Sequence, residues 1–203
     1  MMELLVATNN PGKMREFRQL LAPLAGPVHF PPHLGLVVEV AEVGATYAVN
    51  ARLKATAYAQ AARERDGMPP LLVLADDSGL EVDALGGAPG LRSARYSPGS
   101  DTDRVTYLLQ QLAGVPPAQR GARFRCVIVV AQPDGEIHHA EGVCEGVIAA
   151  APAGSGGFGY DPVFYLPDFG CTMAELPART KNQVSHRARA VQAALPLLQR
   201  LLE

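Results

Sequence analysis

Lysine, cysteine and net charge are all scarce in this chain. Only three of its 18 basic side chains are lysines: Lys13, Lys54 and Lys181. Such a bias either keeps lysine where a compact ammonium is needed rather than a planar fork, or arises by chance. The 18 basic and 20 acidic groups leave a net charge of −2, so there is no basic excess to attract nucleic acid as a whole. Cys126, Cys144 and Cys171 stand far apart with no CxxC pair. That pattern argues against a disulfide framework and a structural zinc site, and points to the reducing cytoplasm. The longest apolar runs, such as residues 126–131, fall far short of the roughly 18 residues a membrane span needs. The opening Met1-Met2-Glu3-Leu4-Leu5-Val6 lacks the basic segment of a signal peptide, so none is expected. Internal repeats and low-complexity linkers are missing too. No GxSxG is found and no cysteine sits beside a histidine, so covalent catalysis has no support.

What is present suits one soluble globular unit over residues 1–203. Hydrophobic residues make up 48% and charged residues 19%. A chain of this size hides roughly 70% of its unfolded surface. Residues 4–8 read as a strand, and Asn10-Pro11 opens a helix, with Asn as cap and Pro at the first helical position. Residues 36–40 read as a second strand and residues 46–65 as a long helix. The apolar run 71–75 has the pattern of a strand buried on both faces, ending in Asp76-Asp77-Ser78-Gly79. A helix over 102–112, capped by Ser100 or Thr102, precedes two strands, 123–131 and 136–149, joined at Pro133-Asp134-Gly135. A helix from Asn182 to the end contains Pro196, which should kink or restart it. The alternation predicts an α/β (mixed α+β) protein with a mixed sheet.

Four stretches carry chemistry. Thr8-Asn9-Asn10-Pro11-Gly12-Lys13 is either a phosphate grip at a helix N-terminus or a capped helix with an exposed lysine; it lacks the P-loop spacing. Asp76-Asp77-Ser78 is either turn chemistry or a site. Adjacent residues of an extended segment face opposite ways, so only one Asp easily reaches a shared centre that holds Mg²⁺ or orients water. Glu39 and Glu42 are candidates for a second oxygen ligand. Residues 154–159 match GxGxxG, but Pro162 follows where a helix should open, so a dinucleotide loop is rejected. What remains is a structural glycine loop, or one presenting Phe158, Tyr160 and Asp161 to a planar base. Lys181, His186 and Arg187 gather cationic donors near the start of the last helix. His138-His139 lies in a strand without metal-site spacing and reads as a surface or sheet pair.

Taken together, these segments resemble the inosine triphosphate pyrophosphatase family, the non-canonical purine nucleoside triphosphate pyrophosphatases. The resemblance runs through Ala7-Thr8-Asn9-Asn10-Pro11-Gly12-Lys13, residues 75–90, Ser93-Ala94-Arg95-Tyr96, Gly157-Phe158-Gly159-Tyr160-Asp161-Pro162, and Lys181 with Ser185-His186-Arg187. It implies cleavage of inosine, deoxyinosine and xanthosine triphosphates to monophosphate and pyrophosphate. It also implies a Mg²⁺ requirement, a cytoplasmic homodimer, and an elongated central mixed sheet flanked by helices, with two lobes and a cleft between them. By resemblance, Thr8, Asn9, Asn10, Pro11, Gly12 and Lys13 grip the triphosphate. Asp77 is the catalytic base and a Mg²⁺ ligand, with Glu42 as second ligand, and Ser78 contacts substrate. Phe158, Gly159, Tyr160 and Asp161 enclose the base, and Lys181, His186 and Arg187 complete the pocket. The family often has Glu-Glu where this chain has Ala41-Glu42, and Glu where it has Val49. Two other readings are a Maf-like pyrimidine nucleotide pyrophosphatase and a nucleotide sensor without turnover.

Overall fold

The computed structural model describes residues 2–203. Seven strands form one mixed sheet, in the order β2-β1-β3-β4-β5-β6-β7. They are β1 (Glu3–Val6), β2 (Val28–His29), β3 (Leu71–Val82), β4 (Gly121–Ala131), β5 (Ile137–Ile148), β6 (Phe164–Leu166) and β7 (Cys171–Thr172). The first strand runs parallel to both β2 and β3, whereas β6 is antiparallel to β5 and β7. The helices are α1 (Pro11–Leu20), α2 (Tyr47–Arg63), α3 (Asp101–Gln111), α4 (Ala178–Val184) and α5 (His186–Leu202). This is the expected α/β class with a mixed sheet flanked by helices. Among the described residues no helix is long and apolar enough to cross a membrane, and all three cysteines are free thiols.

The chain divides into two compact units. One takes in the chain through Asp77, Cys126–Gly142 and Ala188–Glu203. Its sheet face bearing Leu4, Val6, Leu72 and Leu74 is covered by Phe17 and Leu21, at the α1 end, and by Val191, Ala194 and Leu198 of α5. The opposite face, with Leu5, Ala7, Val73 and Ala75, meets α2. Ala51, Ala55, Ala59 and Ala62 form the buried stripe of α2, and these small side chains let its backbone lie close to the strands. The other unit, Ser78–Arg125 and Val143–Arg187, has its own core. There Val105, Leu108 and Leu112 pack with Leu80, Val82, Phe124, Phe164 and Tyr160.

Four expectations are corrected. Residues 36–40 are not a strand. They follow a short 3-10 turn (Pro31–Leu34) closed by Gly35 at φ 58°, and only Leu36 is buried while Val37 is 92% exposed. Branched residues favour extended backbone, but no neighbouring strand completes a ladder there. β3 does not stop before Asp76; it continues to Val82, so Asp76, Asp77 and Ser78 lie inside a strand. The last helical region begins at Ala178, four residues before Asn182, and is broken at Ser185, whose extended backbone (ψ 157°) ends α4 before α5 starts. Lys181 therefore sits in the last turn of α4, whereas His186 and Arg187 open α5. Pro196 does not restart the helix: α5 runs through it to Leu202.

Candidate functional site

The first group of site residues belongs to the unit containing β1. Thr8 and Asn9 leave β1, and Asn10 caps α1 by accepting the Lys13 N–H at 3.0 Å, with Pro11 in the first helical turn. Thr8 is buried and its hydroxyl accepts the Asn10 N–H at 3.3 Å; Gly12 is buried, while Asn9, Asn10 and Pro11 are exposed. Asn9 donates to the Tyr58 hydroxyl at 3.1 Å. Lys13 reaches back from the first turn of α1 to Asp76 Oδ2 at 2.9 Å.

Within β3 the two aspartates separate as a strand requires. Asp76 shares the face of Leu72 and Leu74 and meets Lys13 and the Cys126 thiol. Asp77 shares the face of Val73 and Ala75 and meets α2. There Asn50 Nδ2 donates to Asp77 Oδ2 at 3.1 Å, and Lys54 Nζ lies 3.5 Å from Asp77 Oδ1. Lys54 also binds Glu42 Oε1 at 2.9 Å. Asn50 accepts the Gly44 N–H at 2.8 Å, which holds the loop carrying Glu42. A Cβ on Gly44 would stand 2.7 Å from that same Asn50 oxygen, so the contact requires glycine.

Electrostatics follow from this packing. Burial pushes the Asp77 carboxyl up, and it stays above its ordinary value although Lys54, the Asn50 hydrogen bond and Lys13 pull it down. Burial acts to lower Lys54, but Asp76, Asp77 and Glu42 outweigh it and hold the ammonium charged. Three carboxylates thus face two ammonium groups. Glu42 and Asp77 already share one cation, the Lys54 ammonium, so their oxygens suit a positive charge. Among the described residues no cluster of three or more metal-ligating side chains occurs. Two carboxylates nevertheless fit Mg²⁺, which usually takes one or two and completes its octahedron with water and phosphate oxygens. Glu39 is exposed.

The second group belongs to the other unit. Asp161 (3% exposed) and Lys181 (6%) form a buried ion pair, and Asp161 also accepts the Phe158 N–H at 2.8 Å. Arg187, 1% exposed, donates to Ser78 Oγ at 2.9 Å. The Lys181 ammonium and the Arg187 guanidinium lie 5.2 and 5.6 Å from the Phe158 ring centre. The His186 ring stacks on Phe124 at 4.6 Å. Gly157 has φ 72°, and a Cβ there would overlap the Asp161 carboxylate. The Tyr160 ring is buried in the core and its hydroxyl donates to the Ser93 carbonyl at 2.9 Å. Burial raises that hydroxyl far above the usual tyrosine range.

Sequence reasoning left Lys54 without a role and did not single out Asn50. The scarcity of lysine was the available signal. All three lysines are paired with carboxylates: Lys13 with Asp76, Lys54 with Glu42 and Asp77, and Lys181 with Asp161.

A mixed α/β scaffold thus carries an acid–ammonium cluster on β3 and, separately, an aromatic loop with buried cations. The sequence model of the Ham1 family matches residues 4–197, so the chain belongs to the Ham1 family. Two curated relatives are each named dITP/XTP pyrophosphatase. One, from Desulforamulus reducens, is 50% identical over 202 residues, covering 98% of this chain and 97% of the relative. The other, from Geobacillus kaustophilus, is 50% identical over 193 residues, covering 94% and 91%. A solved HAM1 protein from Coxiella burnetii superposes with a TM-score of 0.83 at 36% identity, over 98% of this chain and all of that one.

Proposed function

We infer that this protein hydrolyses non-canonical purine nucleoside triphosphates, those of inosine, deoxyinosine and xanthosine, to monophosphate and pyrophosphate. The relatives named dITP/XTP pyrophosphatase, half identical over nearly the whole chain, support the reaction class. The observation that carries the chemistry is Asp77, buried yet joined to Asn50 and Lys54 with Glu42 beside it.

The roles follow from the side chains. Exposed Asn9 and Asn10, the α1 N-terminus and Lys13 offer donors and positive charge to the triphosphate. Lys54 adds a second ammonium. Asp77 takes a proton from the attacking water, whose oxygen bonds to the α-phosphorus while the bond from that phosphorus to the α–β bridging oxygen breaks and pyrophosphate leaves. The water's other hydrogen stays with the product phosphates. Burial makes this carboxylate a stronger base than an exposed one. Glu42 and Asp77 would hold Mg²⁺, which supplies charge neutralisation for the polyphosphate. Phe158 offers a ring face to the base. The N–H groups of Phe158, Gly159 and Asp161 are engaged by Asp161, Asp101 and the Phe158 carbonyl. Arg187 and His186 are the side-chain donors proposed for a 6-keto oxygen, and an adenine amino group would leave them unmatched. The proposal extends to a homodimer in the cytoplasm.

The test is pyrophosphate release from inosine, xanthosine, adenosine, guanosine and thymidine triphosphates, each with and without Mg²⁺. Mg²⁺-dependent release confined to the first two is expected. Release from thymidine triphosphate would move the protein to the pyrimidine reading. Binding of inosine triphosphate without release would make it a sensor.

A further inference from the structure

The segment around Phe158 has three tethers, and one comes from a residue with no assigned role. Phe158 N–H is held by Asp161 and the Tyr160 hydroxyl by the Ser93 carbonyl. Between them, Gly159 N–H donates to Asp101 Oδ2 at 2.7 Å, across 58 residues of sequence. Gly157 and Gly159 both adopt positive φ, 72° and 64°, so this turn has few steric restraints of its own and depends on its hydrogen bonds.

Asp101 is itself fixed. It is the first residue of α3, directly after the cap, where Ser100 and Asp103 close a reciprocal capping box. Val105 and Leu108 anchor the helix in the core. The second carboxylate oxygen of Asp101 pairs with Arg104 at 2.5 Å, and Arg104 also donates to the Gly99 carbonyl at 2.9 Å. Burial acts to raise the Asp101 carboxyl, but the Arg104 and Gly159 hydrogen bonds prevail and hold it below its ordinary value. A charged acceptor on a helix rooted in the core thus grips the backbone of a glycine-rich turn.

We propose that Asp101 is a positioning residue for base recognition, its carboxylate fixing the turn that sets Phe158 and Asp161 against the purine. The inference rests on the reading of that loop as the base-binding element. Asp101 touches no reacting atom, so its removal weakens nucleotide binding and leaves the chemical step alone.

The experiment compares wild type, Asp101→Ala and Asp101→Asn. Readouts are kcat and KM for pyrophosphate release from inosine triphosphate, and the inhibition constant of inorganic tripolyphosphate, which has no base. Asp101→Ala is expected to raise KM about tenfold, the scale of one lost charge-assisted hydrogen bond, with kcat within about twofold. Tripolyphosphate inhibition should not change. Asp101→Asn keeps a carbonyl oxygen as acceptor and should restore most of the loss. Unchanged KM in Asp101→Ala overturns the inference. So does a parallel weakening of tripolyphosphate, which marks general damage, or an Asp101→Asn variant as poor as Asp101→Ala. A wild-type protein that releases no pyrophosphate from inosine triphosphate overturns the functional reading and this inference together. A working wild type with an indistinguishable Asp101→Ala overturns this inference alone.

Discussion

Lys13 and Asp76 form an ion pair at 2.9 Å on the strand face opposite that of Asp77. The adjacent aspartates therefore differ in their surroundings: Asp76 anchors the lysine of the α1 N-terminus, and Asp77, on the proposed reading, is left for chemistry. Replacing Lys13 by Ala should act twice. KM for the triphosphate rises through lost phosphate contacts, read by steady-state kinetics. Asp76 has a side chain only 1% exposed, and breaking its pair costs about 3 kcal/mol of stability, read by denaturant unfolding. Unchanged KM with intact stability would return Lys13 to the surface.

Asp77→Asn should cut turnover by about 10²-fold or more while leaving the protein folded. It should also raise the Tm of protein held in chelator. The sign follows from linkage. The folded pKa of Asp77 lies above its unfolded value, so its favourable contribution is present at low pH and lost as pH rises through the folded pKa. At neutral pH the ionised group costs stability, and an amide removes that cost. A lower Tm at pH 7, or near-normal turnover, would contradict this assignment.

The legibility of the fold and site tracks the range of the forces involved. Asn10-Pro11, Thr46 and Ser100 signalled helix starts because capping is local: Asn10 caps as read, Ser100 is the cap of the two candidates offered, and Thr46, read as a first helical residue, caps its helix. Residues 36–40 misled because strand formation needs a partner that lies elsewhere in the chain. The extent of β3 was hidden because Asp76, Asp77 and Ser78 are poor strand formers, held extended by the neighbouring ladder and by Lys13, Asn50 and Lys54. Motif residues were legible as chemistry. Asn50 and Lys54 were not, because their role rests on α2 facing Asp77, which no local pattern encodes.

Gly157→Ala tests the base loop from another side. At φ 72° a side chain costs about 1–2 kcal/mol, and its Cβ would press on the Asp161 carboxylate and stand 2.9 Å from Lys181 Nζ. Thermal unfolding should register the strain. KM should rise further than that strain alone explains, because the buried Asp161–Lys181 pair must shift.

Asp101 gives a pH signature. Its folded pKa lies below the unfolded value, so its stabilising contribution is present above the ordinary carboxylate range and lost as pH falls through the folded pKa. Wild type should exceed Asp101→Asn in stability at neutral pH, and the gap should close in acid. Chemical denaturation across that range reads it directly, and a gap independent of pH would rule out the carboxylate as its source.

The lysine that bridges Glu42 and Asp77 has a consequence for how the enzyme is made and kept. In many metalloproteins the ligand carboxylates repel one another until the ion arrives, so the ion becomes part of the folding free energy. Here an ammonium on α2 supplies that positive charge from within the chain. On the proposed reading of Glu42 and Asp77 as Mg²⁺ ligands, assembly should therefore not depend on divalent cation supply: a chelator should abolish turnover yet leave the unfolding curve where it was, and the enzyme would wait, fully formed, for its nucleotide.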